Sequence, residues 1–133
     1  MRTFLLTVFI LIVFMACATQ EALRGELMNE VKHYNDMLRW HKLDEAGMFV
    51  TGPLSEEFRA RVEAAKNINV VDYRIVGMKY DEARNEADVQ VEIDYYNISS
   101  NILKTLRDAQ KWAYLEEAGS KQWRLKSLLP EFK

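Results

Sequence analysis

The sequence predicts an α+β domain in which three N-terminal helices pack on a curved, antiparallel four-stranded sheet. Apolar residues recur at helical spacing as far as about residue 65, the period shortens to two from Ile68 onward, and polar turns separate the alternating runs. At 133 residues, 49% of them apolar, there is material for one packed core and not for two.

The first residues stand apart from that domain. Met1 to Thr3 is a short basic start, and Phe4 to Met15 is an uncharged run broken only by Thr7. This is the layout of a secretory signal peptide, and the run falls short of the roughly 20 apolar residues that a spanning helix needs. It ends in Phe14-Met15-Ala16-Cys17, which resembles the lipobox of bacterial lipoproteins, with Phe14 in place of the usual Leu and Met15 larger than the usual small residue. The resemblance implies lipidation at Cys17: its sulfur receives a diacylglycerol, the peptide is cut just before it, and the new amino group is often acylated, commonly with palmitate. Several chains are needed because each buried CH₂ contributes only about 0.8 kcal/mol and one chain holds marginally. The alternative is an ordinary cleavage beside Ala16 or Ala18 with Cys17 incidental. Against it, an exported chain with a single Cys has little other use for an unpaired thiol. Ala18, not Asp, follows the Cys, and resemblance to enterobacterial lipoproteins then implies a lipid-anchored envelope protein on the outer membrane, facing the periplasm. The expected boundaries are a signal peptide over 1–16, an anchor and very short tether over 17–21, and one domain over 22–133.

Thr19 suits an N-cap and Glu21 a first turn, after which Leu23, Leu27, Val31, Tyr34 and Leu38 form one apolar stripe of a long helix reaching about His41. Glu26, Glu30, Lys32, Asn35, Asp36 and Arg39 are expected on its wet side. Lys42 to Val50 reads as a short second helix ended by Thr51-Gly52-Pro53. Ser55 can cap a third, in which Phe58, Val62 and Ala65 make the apolar face.

In the first strand Val71, Tyr73 and Ile75 alternate with Asp72 and Arg74, and the second places Ala87, Val89, Val91, Ile93 and Tyr95 on one buried face. The third, from about Ile102 to Glu116, puts Leu106, Asp108, Gln110, Trp112 and Tyr114 on one side. A turn over Glu117 to Lys121, containing Gly119, leads to the return strand Gln122 to Leu129, with Trp123, Leu125 and Ser127 opposite Arg124 and Lys126. On the wet face, Gln90, Glu92 and Asp94 are expected opposite Arg107 and Lys111, with Arg124 and Lys126 beyond.

Several functions are disfavoured. A formal charge of -2 without a basic stripe argues against nucleic acid. One Cys excludes an internal disulfide, and His33 and His41, eight apart on one helix, have no companions at a ligand spacing, so no metal site is expected. There is no Gly-rich phosphate loop and no recognisable Ser or Cys nucleophile, so no cofactor is expected.

The order of one long helix, two short ones and a strand meander ending in Trp112, Tyr114 and Trp123-Arg124-Leu125 resembles the nuclear transport factor 2-like superfamily, which includes ketosteroid isomerase and polyketide-cyclase-like proteins. The resemblance covers Ala22 to Leu129. It implies a cone with a pocket between sheet and helices, used in the family by enzymes, by small-ligand binders and by interaction modules whose cone is filled. Strand alternation points Tyr95, Asp108, Gln110 and Trp112 toward that pocket, with Tyr34 and Trp40 on its helical wall. Asp108, on an otherwise apolar face, is the candidate proton-transfer base of an isomerase or dehydratase; bonding to backbone, pairing with Arg, or a place at a wet pocket mouth are the other readings. The expected function is a non-catalytic binding or interaction module of the cell envelope that meets another envelope protein or a small apolar ligand. Charged residues on the outer face favour a monomer over a dry dimer interface.

Overall fold

A computed structural model describes residues 2–133, except that the side chains at positions 11 and 13–18 lie outside the described set. The lipidation expected at Cys17 falls among those. Helix α1 runs without a break over Arg2–Arg39, so the segment read as a tether, 17–21, is helical, and Thr19 lies inside the helix instead of capping it. No helix among the described residues is long and apolar enough to cross a membrane.

The end of α1 is set by backbone geometry. His41 takes a left-handed conformation (φ 61°), the Lys42 N–H donates to the Met37 carbonyl at 2.8 Å, and the His41 N–H donates to Leu38 at 3.4 Å. Two such reversed bonds form the Schellman closure, which turns the chain away from the helix axis at Trp40. The second expected helix is split. Helix α2 (Leu43–Ala46) tightens into a 3₁₀ turn at Gly47–Phe49, and another 3₁₀ turn, Gly52–Leu54, holds Pro53 near its start. Helix α3 (Ser55–Ala64) buries Phe58 and Val62. Ser55 is its first residue and not its cap, the hydroxyl donating back to the Thr51 carbonyl.

Strands β1 (Ile68–Asp81), β2 (Glu86–Asn97), β3 (Lys104–Glu117) and β4 (Ser120–Leu125) form an antiparallel meander in chain order. Ile102 and Leu103, expected inside the third strand, are exposed loop residues before it, and the return strand, expected to reach Leu129, ends at Leu125. Strand β2 buries every second residue from Ala87 to Tyr95, as its alternation predicts. Strand β1 departs from its pattern. Its pairing slips between Val70 and Asp72 and again between Ile75 and Gly77, so Val71 and Val76 are extra residues that stand 46% and 45% exposed. Each bulge resets the parity, so Val70, Tyr73, Ile75 and Tyr80 still meet Tyr95, Ile93, Val91 and Ala87 of β2. Val71 therefore does not share a face with Tyr73, because a bulge lies between them. Bulges also bend the strand, which curls the sheet over α1.

The β3–β4 turn places Ala118 and Gly119 at positive φ (52° and 82°) between the paired Glu117 and Ser120. This is a two-residue primed turn, whose twist matches the flanking strands. Leu27, Val31, Tyr34 and Leu38 of α1 lie buried against Val89, Val91, Ile93, Trp112 and Leu125 of the sheet, forming one core.

Candidate functional site

The inner face of β3 carries Asp108, Gln110 and Trp112 because residues two apart project to the same side of a strand. All three are buried, and they meet two neighbours on α1, Tyr34 and Asn35. Gln110 is the hub. Its Nε2 donates to Asn35 Oδ1 at 2.9 Å and to Asp108 Oδ2 at 3.0 Å, and its Oε1 accepts from Asn35 Nδ2 and from the Trp112 indole Nε1, both at 3.3 Å. Asn35 is tied down by a further bond from Nδ2 to the Val31 carbonyl at 2.8 Å. This chain lets four polar side chains lie in a region closed to water, where each would otherwise cost a desolvation penalty.

Around that chain the space between helix and sheet is occupied by rings. Tyr34 lies edge-on to Trp112 (centroids 5.9 Å apart) and to Phe49 (6.0 Å), with Phe58 at 6.4 Å. Phe49 also meets Trp112 at 6.3 Å. The Tyr34 hydroxyl is fully buried with no hydrogen-bond partner among the described residues, and its pKa is raised well above the usual value, first by burial and then by the nearby Asp108 carboxylate. Asp108, 5% exposed, is pushed up to about 6 because burial disfavours its ionised form; the hydrogen bond from Gln110 opposes this only in part.

Of the six expected pocket residues, Tyr34, Asp108, Gln110 and Trp112 converge. Tyr95 is buried elsewhere on the same face: its hydroxyl donates to the Lys133 carbonyl at 2.8 Å and its ring meets Phe132 at 5.0 Å, so it fastens the chain end. Trp40 is 65% exposed, because it sits where α1 turns outward, and it stacks against Arg39 at 5.6 Å instead of lining the interior. Asn35, expected in water, is 1% exposed. Its signal was present in the sequence, since it lies four residues after Val31 and three before Leu38 and so at the margin of the apolar stripe.

On the outer face, the expected opposition of charges holds for Glu92 and Arg107 (3.5 Å). A cation from β1 completes that network: Arg74 bonds Asp94 at 2.8 Å and Glu92 at 3.5 Å. Asp94 also accepts from the Thr105 hydroxyl at 2.6 Å, and its carboxyl is lowered to about 2, chiefly by Arg74 and then by Thr105. Arg124 leaves this face to pair with Glu117 at 3.0 Å and to donate to the Val50 carbonyl at 2.6 Å, tying the first helical connection to β4.

Compared with protein-family models the chain matches none, and among curated proteins no sequence matches it either.

Proposed function

We propose that the protein is a lipid-anchored, non-catalytic interaction module of the bacterial cell envelope, built on a nuclear transport factor 2-like cone whose interior its own side chains fill. The observation that supports this best is the occupancy of the space around Asp108. Tyr34, Phe49 and Trp112 are in mutual ring contact with Phe58 against Tyr34, and among the described residues the hydrogen-bonding group on Asp108 is Gln110, itself held by Asn35 and Trp112. A general base must come within about 3 Å of the proton it removes, and a carboxylate only 5% exposed and held by Gln110 offers a substrate little access. Contacts with a partner are then made by the surface, with confinement at the membrane raising the effective concentration toward whatever is held there.

The enzyme reading rests on the raised pKa of Asp108, which suits a proton-transfer base near neutral pH. Burial alone accounts for that shift, and the enzyme reading also requires the ring cluster to open. The two separate in a titration of the full chain with a small apolar probe such as benzene, followed by NMR of the Trp112 indole. A filled interior leaves that resonance unmoved, and a saturable shift would overturn the non-catalytic reading. For the anchor, mass spectrometry of the mature N-terminus from native membranes is expected to find Cys17 carrying diacylglycerol. An unmodified Cys17, or another N-terminus, sinks the lipoprotein proposal.

A further inference from the structure

The end of the outer sheet face next to the β1–β2 turn forms a cleft of about 690 Å³. Register places Lys79, Asp88 and Lys111 side by side across β1, β2 and β3, and the Lys126 N–H bonds the Lys111 carbonyl, which extends this row past β4. Two residues nearer the turn, Asp81 and Glu86 face each other across β1 and β2. The cleft thus carries three lysines around Asp88 along one row and two carboxylates along the next, about 7 Å away by strand geometry.

Asp81 is spent within the turn, pairing with Arg84 at 3.9 Å, but the other charges are not spent on one another. Elsewhere on the same face Arg74, Glu92, Asp94 and Arg107 are joined in ion pairs. In the cleft, Lys79, Lys111, Lys126, Glu86 and Asp88 form no ion pair among the described residues, although opposite signs are immediate neighbours. Lys111 and Lys126 even lie directly opposite each other, an arrangement that is mildly destabilising unless something anionic shares the space. A simple anion would also meet Asp88 and Glu86. A ligand carrying both signs satisfies both rows.

The cleft lies at the anchor end of the molecule. The Tyr80 hydroxyl donates to Gln20 Oε1 at 3.4 Å, Arg24 bonds Glu82 at 2.5 Å while stacking 4.7 Å from the Tyr80 ring, and the Trp123 indole donates to the Leu23 carbonyl at 3.0 Å. Gln20 to Arg24 are thereby clamped beside the cleft wall, and position 17 is less than one helical turn before Gln20.

We infer that this cleft binds a phosphoethanolamine-type zwitterion, its phosphate against Lys111 and Lys126 and its ammonium against Asp88 and Glu86. Its source is the headgroup of a membrane lipid, which the cleft reaches because the chain is tethered at Cys17; this last step rests on the lipid-anchor reading above, and the ligand chemistry does not.

The test has two arms. In the first, the full chain with Cys17→Ser, held in detergent micelles, is titrated calorimetrically with O-phosphoethanolamine, inorganic phosphate and ethanolamine. Saturable binding of the zwitterion is expected, about tenfold tighter than either half, with a further loss of about tenfold in Lys111→Glu/Lys126→Glu. Should that double variant unfold, Lys126→Gln alone, outside the strands, is expected to weaken binding several-fold. Equal affinity for inorganic phosphate, no saturable binding, or binding indifferent to Lys126 would each overturn the site. In the second arm the native lipidated chain is placed in nanodiscs of phosphatidylethanolamine or phosphatidylcholine, and hydrogen exchange is read over residues 79–88. Protection specific to phosphatidylethanolamine supports the lipid source. Equal exchange in both, with the micelle arm positive, overturns that source in favour of a soluble zwitterion. Failure of lipidation itself shows separately in the mass of the mature N-terminus and leaves the first arm untouched.

Discussion

Gln110 and Lys111 are adjacent on β3 and live in opposite worlds. Gln110 faces α1, is 1% exposed, and is bonded to Asn35, Asp108 and Trp112. Lys111 faces outward, beside Lys126 and Asp88, and bonds neither of them through its side chain. On the inner face, polar groups are few, enclosed and bonded, so their energetics concern folding. On the outer face next to the β1–β2 turn, Lys79, Lys111, Lys126, Glu86 and Asp88 form no ion pair among the described residues, so they hold little stability and retain their capacity to bind. Substitutions on the two faces therefore have effects of different size and different kind.

The largest effect is expected at the hub. Gln110→Leu keeps the apolar bulk but strips partners from Asn35, Asp108 and the Trp112 indole together, and leaving buried polar groups unpaired costs about 3–5 kcal/mol in total. Urea denaturation measures it. A loss below about 1 kcal/mol would mean that water already reaches these groups, and the inner face would no longer contrast with the outer.

Asp108→Asn acts in the other direction. A carboxyl whose folded pKa is about 6, above its unfolded value, binds protons more tightly in the native state. Its favourable contribution is complete below about pH 4 and is lost as pH rises through 6, so that the ionised group costs about 3 kcal/mol at neutral pH. Asn carries no charge and escapes that cost. The variant is expected to melt higher than the parent at pH 8, with the gap closing as pH falls from 6 toward 4. A gap that persists at pH 4 would trace the effect to packing instead of ionisation.

How much of this was readable beforehand follows from where periodicity is local. Strand β2 alternates without interruption, so its buried face could be named residue by residue, and the same parity brought Asp108, Gln110 and Trp112 together. In β1 the bulges at Val71 and Val76 reset that parity twice. Bulges are set by pairing with β2, which no window of β1 alone contains. Trp40 was misplaced for a related reason, since the left-handed residue that ends α1 is a His, where Gly is the usual signal. The ring cluster depends on Tyr34, Phe49 and Phe58, which come from three separate elements and meet only in the assembled fold.

Two smaller effects sharpen the contrast from either side. Tyr34→Phe removes a buried hydroxyl that has no partner among the described residues, so stability should be unchanged or improved by up to about 1 kcal/mol. A clear loss would reveal a bound water bridging toward Asp108. On the outer face, Arg74→Ala opens the Arg74–Asp94–Glu92 network. The Asp94 carboxyl, held at about 2, should then climb toward the ordinary range in an NMR titration, with only a slight fall in melting temperature that shrinks further in about 1 M salt.

The smallest effect is the most discriminating for the cleft. Lys126 lies beyond the end of β4, directly opposite Lys111; Asp88 flanks Lys111 on the other side, and neither lysine forms an ion pair among the described residues. Removing one of two adjacent cations relieves repulsion, so Lys126→Ala is expected to leave stability unchanged or to raise it by a few tenths of a kcal/mol at low salt. The same substitution weakens zwitterion binding several-fold. If Lys126 instead proved important for folding, its charge would be structural like that of Arg74, and the two ends of the outer face would no longer differ. A neutral effect on folding joined to a loss of binding is the signature of a charge held in reserve for a ligand.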